Sequence, residues 1–329
     1  YAGPSPTPKS IKIHCFTRSA NVLRSFLEEV RAFSKHKSTS YVSVYRPALG
    51  RDVPRWTRVT CRPARDISTV ILSNDKKESI IKDIKEYLHP RTYQWYSDHG
   101  IPYRRGYLFS GPPGTGKSSL AGAIAGMFEL DIFVLGLNDP DISEGHLFYL
   151  LSKVPSHSVV LVEDVDVAGV SMPREQNPAK VSPKKKDADA TKHRLEHQPI
   201  SLSALLNAID GVASHEGRIL IMTTNVPESL DRALIRPGRV DLHVKFELPG
   251  REEFKELFRS VYTGLEEFEE KECPGRDLEE LGVRFSKQLP ENHFSVADVL
   301  GYLLQYKLHP EQACDNIAEW VEQQTLESE

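Results

Sequence analysis

Gly111-Pro112-Pro113-Gly114-Thr115-Gly116-Lys117-Ser118 is the stretch that decides the fold. An apolar run, residues 106–110, leads into it, and a helical pattern, residues 119–128, leads out. Strand, glycine-rich loop, Lys-Ser and helix together make a phosphate-binding loop rather than a chance glycine-rich turn. Small residues let successive backbone N–H groups converge on one point. The helix that starts there adds the positive end of its dipole. Lys117 brings a point charge for β- and γ-phosphates, and Ser118 a hydroxyl ligand for Mg²⁺. The phosphate-binding residues are therefore Gly111, Pro112, Pro113, Gly114, Thr115, Gly116, Lys117, Ser118 and the adjoining Ser119.

Outward from the loop, the chain alternates strand and helix. Strands are expected at 131–137, 158–163, 218–224 and 243–248, and helices at 144–152 and 201–209. Such alternation implies an α/β fold, a parallel sheet with helices on both faces. From residue 252 onward the pattern is helical and reads as a helical lid. Before the loop, residues 76–88 form a charged amphipathic helix. Residues 11–16 and 41–45 read as strands, and the spacing of Val22, Leu23, Phe26, Leu27 and Val30 reads as a helix. Residues 51–65 are basic, with Pro54, Trp56 and Pro63 among the arginines. A solvated turn or hairpin suits them better than a phosphate contact. The expected domains are a small N-terminal α+β module, 1–66, an α/β core, 67–250, and a lid with C-terminal helices, 251–329. Residues 171–199 are rich in Lys, Asp and Pro and too poor in apolar residues to fold alone, so a disordered insertion is expected there.

Composition narrows the function classes. The chain has 329 residues, 39% hydrophobic and 27% charged, which suits a globular protein with a sizeable core. Its net charge is -4, from 42 Lys+Arg against 46 Asp+Glu, so a nucleic-acid partner is not expected. The four cysteines, Cys15, Cys61, Cys273 and Cys314, form no CxxC pair, which argues against a zinc site or disulfide framework. No apolar run approaches membrane-spanning length. The chain begins at Tyr1, and a targeting or anchoring segment is expected upstream.

Three further stretches carry chemistry. Residues 159–162 end in Glu163-Asp164, and ligands in an open α/β sheet sit at the carboxyl ends of strands. This acidic tip therefore lies beside the phosphate loop. One carboxylate can hold Mg²⁺ through its water shell, and the other can orient and deprotonate an attacking water. Asn225 ends the next strand. It can hydrogen-bond a γ-phosphate or a lytic water, or simply form the turn. Arg236-Pro237-Gly238-Arg239 holds two arginines on a rigid exposed turn, a form that suits an arginine finger.

In combination, the loop, the acidic tip, Thr223-Thr224-Asn225 and Arg236-Pro237-Gly238-Arg239 resemble the AAA subfamily of P-loop ATPases across residues 67–310. Residues 100–108 and 207–212 resemble one branch, the mitochondrial inner-membrane chaperones that translocate the Rieske iron–sulfur protein during respiratory complex III assembly. Residues 11–72 are similar to part of that branch's middle domain.

The resemblance implies a homo-oligomeric ring, heptameric in that branch, that hydrolyses Mg·ATP and moves a protein client on the matrix side of the inner membrane. It implies an upstream membrane anchor. Asn225 becomes the first nucleotide sensor, and Arg236 and Arg239 become fingers acting on the neighbouring subunit. By position Glu163, with Ser118, takes the Mg²⁺ role and Asp164 activates water, although Asp is one methylene shorter than the usual Glu, and the base could be either. Residues 137–145 contain no aromatic–aliphatic–Gly loop of the kind that grips extended polypeptide, which favours moving a folded client. No arginine stands at 294–298, where many relatives carry a second sensor. Competing readings are a nucleotide-gated ring scaffold with little hydrolysis, an AAA remodeller with another client, and a P-loop kinase for a small metabolite.

Overall fold

The computed structural model describes residues 20–36, 41–49, 53–139, 142–166, 200–210, 216–263 and 278–328. The expected strand at 11–16 and the insertion at 171–199 lie outside them. Helix α1 (Ala20–His36) belongs to a compact unit that ends at Ser40. Its apolar stripe, Val22, Phe26, Leu27 and Val30, is exposed, and its other face is charged.

The second unit, 41–329, is built on one seven-stranded sheet. Strands β1 (Tyr41–Leu49) and β2 (Pro54–Pro63) form an antiparallel hairpin. Helices α2 (Asn74–Tyr87) and α3 (Pro90–Asp98) lead to β3 (Arg105–Ser110), α4 (Lys117–Met127), β4 (Asp131–Gly136), α5 (Glu144–Ser152) and β5 (Ser158–Glu163). Helix α6 (Leu202–Asp210), β6 (Arg218–Thr224) and β7 (Leu242–Lys245) complete the core. The order is β2-β1-β4-β5-β6-β3-β7, and all pairings except β1–β2 are parallel.

Apolar residues fill both faces of these central strands, because helices cover the sheet on either side. Phe109, Val134, Val159 and Leu161 pack with Leu120, Ala121 and Ile124 of α4. Phe133, Leu135, Val160 and Val162 pack with Leu147, Leu150, Ala204 and Leu205 of α5 and α6. A third core holds the lid, α7 (Arg251–Tyr262), α8 (Leu278–Lys287), α9 (Val296–Gln305) and α10 (Pro310–Ser328), around Phe254, Phe258, Phe285 and Tyr302. Ile71 inserts into this lid core while its neighbours Val70 and Leu72 pack into the sheet core.

The sequence reading did not foresee that residues 41–63 pair with the core sheet. Val44 and Tyr45 pair with Ile132 and Phe133, so the hairpin extends the core sheet. The reason lies in side chains that a local pattern does not reveal. Tyr45 stacks on Phe133 at 4.7 Å, Trp56 meets the same ring edge-on, and its Nε1 donates to the Leu150 carbonyl at 2.8 Å. The basic stretch is the hairpin's second strand, with Arg55, Arg58 and Arg62 exposed. Helix α4 begins at Lys117, two residues earlier than its apolar pattern, so the lysine and serine lie in its first turn.

Helix α4 approaches the hairpin's exit closely. A Cβ on Gly126 would lie 2.7 Å from the Ala64 Cβ, whereas one on Gly122 would meet nothing within 4 Å. Gly126→Val is therefore expected to destabilise the fold by about 1–3 kcal/mol through overpacking. Gly122→Ala is expected to stabilise it by about 1 kcal/mol through helix propensity. Denaturant midpoints of the two variants check both signs, and a neutral Gly126→Val would show that α4 and Ala64 are not in contact.

Candidate active site

The loop after β3 and the first turn of α4 form one wall of a cavity of ≈ 550 Å³, within the range of small-molecule sites. Gly111, Gly114 and Gly116 take positive φ there, 143°, 77° and 98°, which L side chains rarely adopt. Lys117, only 7% exposed, donates from Nζ to the Gly111 and Pro112 carbonyls at 2.6 and 2.7 Å and to Asn225 Oδ1 at 2.9 Å. Burial lowers its pKa, opposed by the nearby charges of Asp164 and Asp166. An ammonium held this way is short of a counter-ion that a phosphate would provide.

The opposite wall comes from the lid and is apolar. Leu257, Val261, Val296 and Leu300 line it with Ile71. The lid touches the loop directly: Ala297 N donates to the Gly114 carbonyl at 3.1 Å, and a Cβ on Gly114 would lie 2.5 Å from Ser295 Oγ. Where no arginine stood in the sequence, a backbone amide and a methyl group meet the loop. One wall thus suits phosphates and the other a base.

The acidic tip stands beside the loop. Ser118 Oγ donates to Glu163 Oε1 at 3.2 Å. Asp164 has φ 49° and is fixed by a hydrogen bond from its own N–H to Thr223 Oγ1 at 3.1 Å. Its Oδ1 accepts from Asn225 Nδ2 at 3.3 Å, and Asn225 N donates to Asp166 Oδ1 at 3.3 Å. Three strand ends thus bring Lys117, Ser118, Glu163, Asp164 and Asn225 together. A hydroxyl and a carboxylate are hard oxygen donors that suit Mg²⁺. No group of three His, Cys, Asp or Glu that could cage a metal occurs among the described residues, so such an ion would lean on phosphate oxygens for the rest of its shell.

Arg236 and Arg239 do not line their own chain's cavity. Arg236 is exposed on its turn. Arg239 is 19% exposed and held inside its own chain. Its Nε and Nη2 reach Asp210 Oδ2, both at 3.1 Å, and Nη1 donates to the Ala233 carbonyl at 2.7 Å. Arg104 reaches the other Asp210 oxygen at 2.6 Å. Asp210 thus clamps the 236–239 turn to the segment before β3. The sequence reading missed this clamp, and it also missed Arg46 and Arg65. Arg46 Nη2 lies 3.2 Å from Glu163 Oε2, and Arg65 donates from Nη1 to Ser119 Oγ at 3.1 Å. Arg65 ends the basic run 51–65 that reads as a solvated hairpin, and Arg46 directly follows the strand read at 41–45, to which no chemistry was assigned.

Comparison with known proteins gives the same arrangement a family. The model "ATPase family associated with various cellular activities (AAA)" matches residues 107–248, "BCS1 N terminal" matches 2–70, and "Mitochondrial chaperone BCS1-like, ATPase lid domain" matches 251–319. The chain belongs to the BCS1-type AAA ATPase family. It is 35% identical to "Probable mitochondrial chaperone BCS1-A" of Dictyostelium discoideum and 39% identical to "Mitochondrial chaperone BCS1" of Homo sapiens. Each alignment covers 94% of this chain and 67% of the relative. The Danio rerio "Mitochondrial chaperone BCS1" is 41% identical over 78% of this chain and 56% of that protein. In BCS1-type terms, the hairpin that joins the sheet here lies within the N-terminal match.

Asp210→Asn is expected to release the turn. Alone it should lower the unfolding midpoint, and combined with Arg239→Ala it should add little, giving a coupling of about 0.5 kcal/mol or more in a double-mutant cycle. Simple additivity would show that the two residues do not act as a pair.

Proposed function

We propose that this chain hydrolyses the β–γ bond of Mg·ATP in its loop–lid cavity and, within a homo-oligomeric ring, converts turnover into movement of a folded protein client. The observation that carries this reading is the cavity itself. A buried ammonium and a glycine loop face an apolar lid, and a Ser–Glu pair and an Asp–Asn pair stand at the strand tips between them. Ser118 and Glu163 would hold Mg²⁺, Glu163 partly through water. The ion would supply neutralisation of the phosphate charge.

Asp164, oriented by Asn225, takes the proton of the attacking water. The water oxygen bonds to the γ-phosphorus, the bridging P–O bond breaks, and ADP departs with the electron pair. Asp164 fits this task better than Glu163, whose two oxygens already serve Ser118 and Arg46. Arg236, exposed on its turn, is the finger in this reading, acting on a neighbouring subunit's γ-phosphate. Arg239, committed to Asp210, sets that turn.

The names of the relatives support a mitochondrial chaperone. The family resemblance extends this to a matrix-facing ring at the inner membrane, heptameric, with the Rieske iron–sulfur protein as client and a membrane anchor upstream. No helix among the described residues is long and apolar enough to cross a membrane.

Lys117→Ala is expected to lose nucleotide binding, and Asp164→Asn to bind ATP but release phosphate at least about 100-fold more slowly. A steady-state phosphate-release assay with equilibrium nucleotide binding reads both, and it also separates an enzyme from a nucleotide-gated scaffold. Full turnover by Lys117→Ala would remove the loop from the mechanism. Rings mixed from Arg236→Ala and Lys117→Ala subunits should regain part of the activity that each lacks alone. No recovery at any ratio would place the finger within its own subunit.

A further inference from the structure

The carboxylate assigned to the metal has a second partner that comes from the N-terminal hairpin. Register explains how it gets there. Val44 and Tyr45 pair with Ile132 and Phe133, so Arg46 comes level with Val134, while Glu163 pairs with Gly136. Register partners point to the same face of a parallel sheet, and so do residues two apart in one strand. Arg46 and Glu163 therefore share a face, the one on which Val44, Val134 and Leu161 pack under α4. From there Arg46 spans β4 and places Nη2 3.2 Å from Glu163 Oε2, while Oε1 takes the Ser118 hydroxyl.

The same part of the chain is fastened along α4. Arg65 donates to Ser119 Oγ at 3.1 Å near the start of the helix, and Ala64 packs on Gly126 near its end. The hairpin and its exit thus meet the phosphate-loop helix at two points and Glu163, at the tip of β5, at a third.

We propose that Arg46 is a positioning residue that shares Glu163 with the metal, so that metal occupancy of the nucleotide site is felt by the β1–β2 hairpin. This rests on the Mg·ATP reading above. The sign follows from Coulomb's law. A guanidinium on the carboxylate neutralises it and repels a divalent cation arriving beside it. By linkage, a cation that binds against this charge weakens the hold of Arg46 on Glu163 by the same factor. The hairpin, which the guanidinium ties to the β5 tip, then loosens.

The test is a Mg²⁺ titration of the binding of a fluorescent non-hydrolysable ATP analogue to the whole chain. Arg46 is 53% exposed, so its replacement should be tolerated. Arg46→Ala and Arg46→Gln are expected to lower the half-saturating Mg²⁺ concentration about two- to fivefold, the range of an exposed ion pair, and Arg46→Lys to stay near wild type. Hydrogen exchange of residues 41–49 with bound analogue should be faster with Mg²⁺ than with chelator in the wild type, and indifferent to the metal in Arg46→Ala. An unchanged or raised Mg²⁺ requirement in both neutral variants would overturn the proposal, and so would a hairpin response that survives Arg46→Ala. Wild-type nucleotide binding that ignores Mg²⁺ would overturn the reading of the site as well.

Discussion

The structure depends on one buried ammonium. Lys117 has lost most of its water, and two peptide carbonyls and an amide oxygen replace it. Those acceptors stabilise the charge but do not neutralise it, and burial still lowers its pKa. To present the group this way, a strand must end, a loop must fold back on the lysine, and a helix must begin within a few residues. That geometry requires a parallel sheet with its carboxyl ends gathered at one edge, which β3, β5 and β6 supply. The remaining polar groups of the site are the tips of those neighbouring strands.

The lid completes the site by contact. Ile71 sits in the lid core while the residues on either side of it sit in the sheet core. Lys77 of α2, nearly buried, pairs with Glu256 of α7 at 3.0 Å. A ligand between loop and lid would therefore touch both bodies. Relative motion of packed bodies about a ligand is the ordinary way in which binding energy becomes displacement.

The sequence disclosed what was local and periodic. The β5 and β6 strands and the α5 helix, buried runs with clear ends, fell where their residues indicated. The loop and the strand-tip residues Glu163, Asp164 and Asn225 were legible because one motif, once placed on a strand and helix, fixes its neighbours in an open sheet. Helix α3 was not legible. Its exposed aromatics, Tyr93 and Trp95, give no apolar stripe to read. The clamp at Asp210 was invisible because its three members, Arg104, Asp210 and Arg239, are distant in sequence and each looks like an ordinary surface charge. The hairpin's place in the sheet turned on Trp56 and Tyr45 finding Phe133, a contact between residues more than seventy positions apart.

The placement of that hairpin bears on how force could leave the ATPase core. Residues 137–145 hold no aromatic residue. The hairpin, in contrast, is continuous with the sheet through β4, lies against the phosphate-loop helix and contacts Glu163. From Glu163 on β5, only β4 intervenes before residues 41–49. Those residues lie within the part matched by the BCS1 N-terminal model, 2–70. For the client movement proposed above, a stiff sheet edge would suit concerted displacement of whole modules better than stepwise traction on a single strand, because a hydrogen-bonded sheet transmits displacement with little local yielding.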